Sequence, residues 1–212
     1  MRVFGVFGSG GCGRGVMPLA RTQLNANLAR GDQLLFVDDY IRSPIMLNGI
    51  SVVDFEEFVA FEASGKFVSI AVANPDARSM IVSRCEAAGL DFFDIRALQY
   101  VEMDDVEIGE GALISPFVTF TSNIRIGRHF HCNLYSYVEH DCNIGNFVTF
   151  APGVRCNGNV TIGDGAYIGS GAVIRQGINI GAGATIGMGA VVVKDVQAYT
   201  TVVGNPARPL VR

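Results

Sequence analysis

The sequence predicts two domains of different class: a small α/β parallel sheet over residues 1–100, then a parallel β-helix over residues 101–192 with a short tail, 193–212. Three observations carry this. Strands alternate with helices through the first hundred residues, a glycine-rich turn joins the first strand to the first helix, and from residue 108 an apolar residue recurs at every sixth position. With 212 residues, 49% of them apolar, the chain can build a core in each part.

The first strand is read over Val3–Phe7, and the helix that follows runs through Val16, Leu19, Ala20 and Leu24. A second strand covers Leu34–Val37 and ends in Asp38-Asp39. FVSIAVA (67–73) is a third, Pro75–Ala88 a second helix, and FFDI near residue 93 a last strand. This is about half of a full Rossmann-like dinucleotide fold, so one nucleotide fits more readily than two. NAD is the rival ligand, and the absence of the second half counts against it. Gly8, Gly10 and Gly13 spell G-x-G-x-x-G between strand and helix, and Ser9 and Gly11 share that loop. Backbone amides and a helix N-terminus there can hold a phosphate; the alternative is a tight turn chosen for packing alone. Asp38 and Asp39 stand where an acid would meet a ribose or base edge, or else form a solvated strand end.

In the second hundred residues, every sixth residue from Ile108 to Val192 is apolar, fifteen in all. Chance would give such a column roughly once in tens of thousands of trials at this composition. A second column from Ala112 to Ala190 is small or apolar everywhere except Ser136. Three sixes make one eighteen-residue triangular turn of a parallel β-helix, with both columns pointing inward. Gly109, Gly127, Gly145, Gly163 and Gly181 recur at eighteen-residue spacing, where a corner is expected to need positive φ. The flat faces favour association of several such prisms. Cys132, Cys142 and Cys156 fall on the inward columns and read as core fillers.

VEHDCNIG (138–145) places a histidine between two acids in a chain with three histidines. On the prism His140 projects near a corner, with Asp141 beside it and Gly158 one coil above, about 4.8 Å away. A base, a carboxylate to orient it and a bare amide for a developing oxyanion are therefore within reach, although a corner histidine between acids is also a plausible solvated turn.

The formal charge of −4 and the lack of a Lys/Arg run leave no electrostatic footprint for nucleic acid or an acidic membrane. The N-terminal apolar stretch is too short for a signal peptide or a membrane span, which points to the cytoplasm. Five cysteines without a CxxC pair suggest neither a disulfide framework nor a zinc knuckle.

VEHDCNIG, APGV (151–154), GNVTIG (158–163), YIGSGAVI (167–174) and the ending VVVKDV…TTVVGNPARPL resemble the hexapeptide-repeat acetyltransferases that act on sugar nucleotides. That family also includes sialic acid O-acetyltransferases. The resemblance implies a left-handed parallel β-helix, a homotrimer with active sites between neighbouring prisms, and transfer of acetyl from acetyl-CoA to an amine. The acceptor would commonly be the 4-amino group of a nucleotide-linked deoxy sugar, for surface polysaccharide or glycan biosynthesis. By position, His140 matches the general base, Asp141 its orienting acid, Asn133 a sugar contact and Gly158 the amide donor to the acetyl carbonyl. Thr149, Ser170, Met188, Lys194, Pro206 and Arg208 fall where CoA is held; Gly8, Ser9, Gly10, Gly11, Asp38, Asp39 and Asn74 fall in the nucleotide-sugar site. One departure stands out: many members carry a second histidine where this chain has Thr149. His131, one coil below, either partly substitutes for that histidine or is a wet surface residue, and the second reading is preferred. An O-acetyltransferase for a sugar hydroxyl keeps the same fold. A structural or zinc-binding trimer is the non-enzyme alternative, disfavoured because His129, His131 and His140 are not eighteen apart, and no metal is expected.

Overall fold

The computed structural model describes residues 1–25, 31–41 and 45–210, in two compact units, Met1–Arg96 and Ala97–Arg212.

In the first unit, β1 (Arg2–Phe7) is buried along nearly its whole length and is followed by α1 (Gly11–Asn25), whose Val16, Met17, Ala20 and Leu24 face the core. Then come β2 (Gln33–Val37), β3 (Ile45–Leu47), β4 (Ile50–Val53), α2 (Phe55–Ala60), β5 (Gly65–Ile70), α3 (Pro75–Ala87) and β6 (Asp91–Phe92). The sheet order is β3-β4-β2-β1-β5-β6, parallel except for the β3–β4 hairpin. The alternation of strands and helices read from the sequence is present. The hairpin and α2 were not expected. Their signals are short: Asn48-Gly49, both at positive φ, turn the hairpin, and Asp54 with Glu57 forms a capping box that starts α2.

The second unit is a left-handed parallel β-helix. Successive coils stack in parallel at eighteen-residue offsets, so that Asn143 pairs with Thr161, Thr149 with Tyr167 and Tyr137 with Arg155. One face stacks Val106–Ile108, Ile124–Ile126, Asn143–Ile144, Thr161–Ile162 and Asn179–Ile180; a second stacks Val101–Glu102 up to Val191–Val192; the third runs from Leu113–Ile114 to Thr201–Val203. The column from Ile114 to Val192 and the column from Ala112 to Ala190 are buried throughout. Ser136, the polar exception, donates its hydroxyl to the Ala151 carbonyl at 3.1 Å and accepts from the Val154 amide. Phe120, Phe130 and Phe150 fill the lower core, their rings tilted or edge-on at 6.4 and 5.2 Å. Cys132, Cys142 and Cys156 are buried among them.

The corners correct one expectation. Positive φ, between 53° and 76°, falls at every sixth residue from Asp105 to Gly189, not at Gly109, Gly127, Gly145, Gly163 and Gly181. Those five are glycines because the next coil passes over them: a Cβ on Gly127 or Gly145 would lie 2.7 Å from the amide nitrogen of Asn146 or Asp164. Side chains tie the coils together there. Asp164 accepts from the Asn146 amide at 2.7 Å, and Asn146 from the Arg128 amide at 3.0 Å.

Candidate active site

The corner joining the second face to the first carries a stack of left-handed residues, Asn123, Asp141 and Asn159, with φ of 57°, 60° and 55°. Asn and Asp tolerate this conformation better than other side-chain-bearing residues. At position 141 the left-handed turn brings the carboxylate back onto its own neighbour: His140 Nδ1 lies 2.8 Å from Asp141 Oδ2. That bond fixes the tautomer, with the proton on Nδ1 and the Nε2 lone pair free to take a proton. The hydrogen bond to Asp141 raises the His140 pKa above its ordinary value, with Glu139 adding to it, and His140 in turn lowers that of Asp141. Both side chains are about half exposed, so the dyad is open to a substrate.

The ring lies over Gly158. A Cβ built there would come within 2.5 Å of His140 Cε1 and 2.6 Å of Nε2, so any side chain at 158 would displace the imidazole. The two coils are tied at this point by the Asn159 amide donating to the His140 carbonyl at 2.8 Å. Beneath the corner the Cys142 thiol donates to the Asn157 carbonyl at 3.3 Å. Three of the residues read from the sequence, His140, Asp141 and Gly158, thus form one constellation. Asn123, not singled out there, joins it: its carboxamide donates to Asp141 Oδ1 at 3.1 Å. The signal was available, since 123 is 141 minus eighteen.

The remaining positions lie elsewhere on the prism. Asn133 sits at the start of the corner between the third and second faces, where its carboxamide oxygen accepts from the Leu134 amide at 2.8 Å. Ser170 and Met188 stack on that same corner one coil apart, both exposed, and the Gly189 amide donates to the Ser170 carbonyl. The second face separates this corner from His140. Lys194 and Arg208 line one cavity of about 370 Å³ at the C-terminal end of the prism, with Asp195, Gln197, Thr200 and Pro209. Pro206 follows a cis peptide bond in the exposed turn before Arg208. Thr149 is buried in the third face, 4% exposed, directly above His131. His131 is itself only 5% exposed, which overturns its reading as a wet surface residue: the outward column Leu113, His131, Thr149 is closed off from solvent. His129 is also buried and stacks on Phe147 at 5.3 Å. Among the described residues no group of three or more His, Cys, Asp or Glu is placed to hold a metal.

In the first unit, Gly8 takes φ 99° at the end of β1, and a Cβ on Gly13 would fall 1.7 Å from the Gly8 carbonyl oxygen, so α1 can pack against the turn only through glycine. Gly10 and Gly11 have nothing within 4 Å of a built Cβ, so the loop backbone is open to approach. The Ser9 amide and hydroxyl are engaged by Asp38, at 2.8 and 2.5 Å. Burial pushes the Asp38 carboxyl up, but these bonds and the Tyr40 amide outweigh it and hold it low. Asp39 accepts from the Phe55 amide at 3.1 Å and pairs with Arg84, whose guanidinium lies 3.8 Å from the Phe55 ring centre. Asn74 is the N-cap of α3, accepting from the Ala77 amide at 2.9 Å. The fully buried Arg78 holds the Val72 carbonyl at 2.8 Å, beside the glycine turn, and burial lowers its pKa to about 10. No helix among the described residues is long and apolar enough to cross a membrane.

Comparisons with known proteins agree with this architecture. The family model for bacterial transferase hexapeptide repeats (six repeats) matches residues 141–176 and 159–194. The chain is 46% identical over 169 residues to GDP-perosamine N-acetyltransferase of Escherichia coli O157:H7, covering 80% of this chain and 76% of that protein. WeeI from Acinetobacter baumannii AYE superposes with a TM-score of 0.95 at 49% identity, over 99% of this chain and 100% of that one. The acetyltransferase domain of PglB from Neisseria gonorrhoeae FA1090, solved with acetyl coenzyme A, gives 0.88 at 29% identity and 99% coverage of both chains.

Proposed function

The chain belongs to the left-handed β-helix, hexapeptide-repeat family of nucleotide-sugar acetyltransferases, and from that premise we propose how its own residues perform the transfer. It is an acetyl-CoA-dependent N-acetyltransferase acting on a nucleotide-linked amino sugar. The observation that carries the proposed mechanism is the imidazole of His140, oriented by Asp141 and seated over the bare backbone of Gly158.

The acceptor amine attacks the thioester carbonyl carbon of acetyl-CoA and gives its proton to His140 Nε2. Asp141 steadies the imidazolium through Nδ1. The carbonyl oxygen becomes an oxyanion opposite the Gly158 amide, which makes no hydrogen bond among the described residues. Collapse of the adduct expels CoA as its thiolate, which takes up the proton. No covalent acetyl-enzyme is required, because holding both substrates together supplies much of the acceleration.

The open Gly10-Gly11 backbone at the start of α1 would hold the nucleotide phosphates, with Ser9, Asp38, Asp39 and Asn74 framing the site. Both aspartates are engaged by protein groups without ligand, so their contact with the sugar nucleotide would come by exchange of those bonds. Ser170, Met188, Lys194, Pro206 and Arg208 would hold CoA; Thr149, which stands in place of the histidine common in the family, is buried in the third face. Since Asn133, Ser170 and Met188 lie on a different corner from His140, a homotrimer, in which the corner of one prism meets that of another, supports the reading better than a single chain does. The acceptor is a 4-amino sugar on GDP, by likeness to the perosamine enzyme, and the compartment is the cytoplasm.

Thiol release from acetyl-CoA, measured against GDP-, UDP- and dTDP-linked 4-amino sugars and a free sugar hydroxyl acceptor, tests this. Release is expected with GDP-perosamine at the highest kcat/KM. Activity confined to the hydroxyl acceptor would replace N-transfer by O-transfer.

A further inference from the structure

We propose that Asn123 is a positioning residue of the acyl transfer, acting on His140 through Asp141; the proposal rests on the reading of His140 as the base. The two oxygens of the Asp141 carboxylate have separate partners. Oδ2 takes His140 Nδ1 at 2.8 Å, and Oδ1 takes the Asn123 carboxamide at 3.1 Å from the coil below. Asp141 is about half exposed and has no other side-chain hydrogen bond among the described residues. A carboxylate held on one oxygen only is free to rotate about its χ angles toward water, and the imidazole would lose its fixed tautomer with it.

The corner itself does not require this residue. Its backbone needs a left-handed φ, which Gly177 meets three coils higher with no side chain. Asn, Asp and Gly all suit that conformation, and of the three only Asn donates a hydrogen bond to a carboxylate. Nor is the bond a general feature of the stack: the Asn159 side chain, one coil above Asp141, makes no hydrogen bond among the described residues. The titratable groups acting on His140 are Asp141, Glu139 and the Cys142 thiol, all on its own coil. The coil above presents Gly158 and Asn159 at this corner, and the coil below Ser122 and Asn123; none of these four titrates.

Asn123→Gly removes the carboxamide while keeping a residue suited to φ 57°, and Asn123→Asp keeps the shape but sets a carboxylate against Asp141. The full chain carrying each change is assayed for kcat, both KM values, melting temperature and the pH dependence of kcat/KM. Asn123→Gly is expected to lower kcat about tenfold, in the range of coupled neighbours, with both KM values within about twofold. Its acid limb moves to lower pH, as the imidazole loses part of the carboxylate's support. Adding Asn123→Gly to Asp141→Gly should cost nothing further, because the carboxylate that Asn123 holds is then gone. Asn123→Asp should be no better than Asn123→Gly. A wild-type kcat and an unmoved limb in Asn123→Gly, with or without a lower melting temperature, overturn the proposal while Asp141→Asn still shifts the limb. If instead His140→Asn keeps full activity, the reading of the base fails first and the proposal falls with it.

Discussion

At the scale of single residues, the proposed reaction depends on which ring nitrogen of His140 is free, and the Asp141 contact sets that. Because the carboxylate raises the imidazole pKa above about 6.5, the histidine is a competent base only above that raised value. kcat/KM should therefore be flat at alkaline pH and fall as pH drops through a midpoint above 6.5. In Asp141→Asn the midpoint should move down toward 6.5, with a lower plateau, because the cause of the shift is gone. A midpoint unchanged in that variant would mean that another group governs the limb. His140, Asp141 and Gly158 were legible from the sequence because an imidazole, a carboxylate and a missing side chain are chemically conspicuous, and the eighteen-residue offset placed them together. Asn123 was passed over although the same offset places it below Asp141, because a corner asparagine is also what a left-handed turn selects for its backbone. The burial of His131 was out of reach for a different reason: the six-residue period says which residues point in, but not which outward column is covered.

At the scale of the element, the β-helix uses glycine for two distinct purposes, and substitution should separate them. At Gly145 an alanine Cβ would sit 2.7 Å from the Asp164 amide nitrogen, with a backbone that cannot yield. At Gly171, φ is 69° and nothing lies within 4 Å. Gly145→Ala should destabilise by about 3 kcal/mol or more, the upper end of overpacking costs, because the clash is with backbone of the next coil, and Gly171→Ala by only about 1–2 kcal/mol through the left-handed backbone alone. Thermal unfolding of the two variants checks the order; equal losses would contradict it. The inward columns were readable because they run to fifteen and fourteen positions, whereas spacing alone could not tell a close coil crossing from a positive φ. In the first unit the long elements followed their period. The three-residue β3 and six-residue α2 are too short to show one and rest on an Asn-Gly turn and an Asp-x-x-Glu cap.

At the scale of the whole molecule, the division of labour follows from what each unit offers. A six-stranded sheet with an open glycine loop suits an anion and its nucleoside, while the stacked coils supply rigid corners on which a base and a bare amide stay at fixed separation. On the proposed reading each unit holds one substrate, so activity is expected only of the full chain. The central claim is that His140 takes the acceptor's proton during direct attack on the thioester. It is tested most directly by the rate of thiol release from acetyl-CoA with a GDP-linked 4-amino sugar, compared between the wild-type chain and His140→Asn. The expected result is acceptor-dependent release by the wild type and a fall in kcat/KM on the order of 100-fold or more in the variant, with acetyl-CoA still bound; release by the variant at the wild-type rate would contradict it.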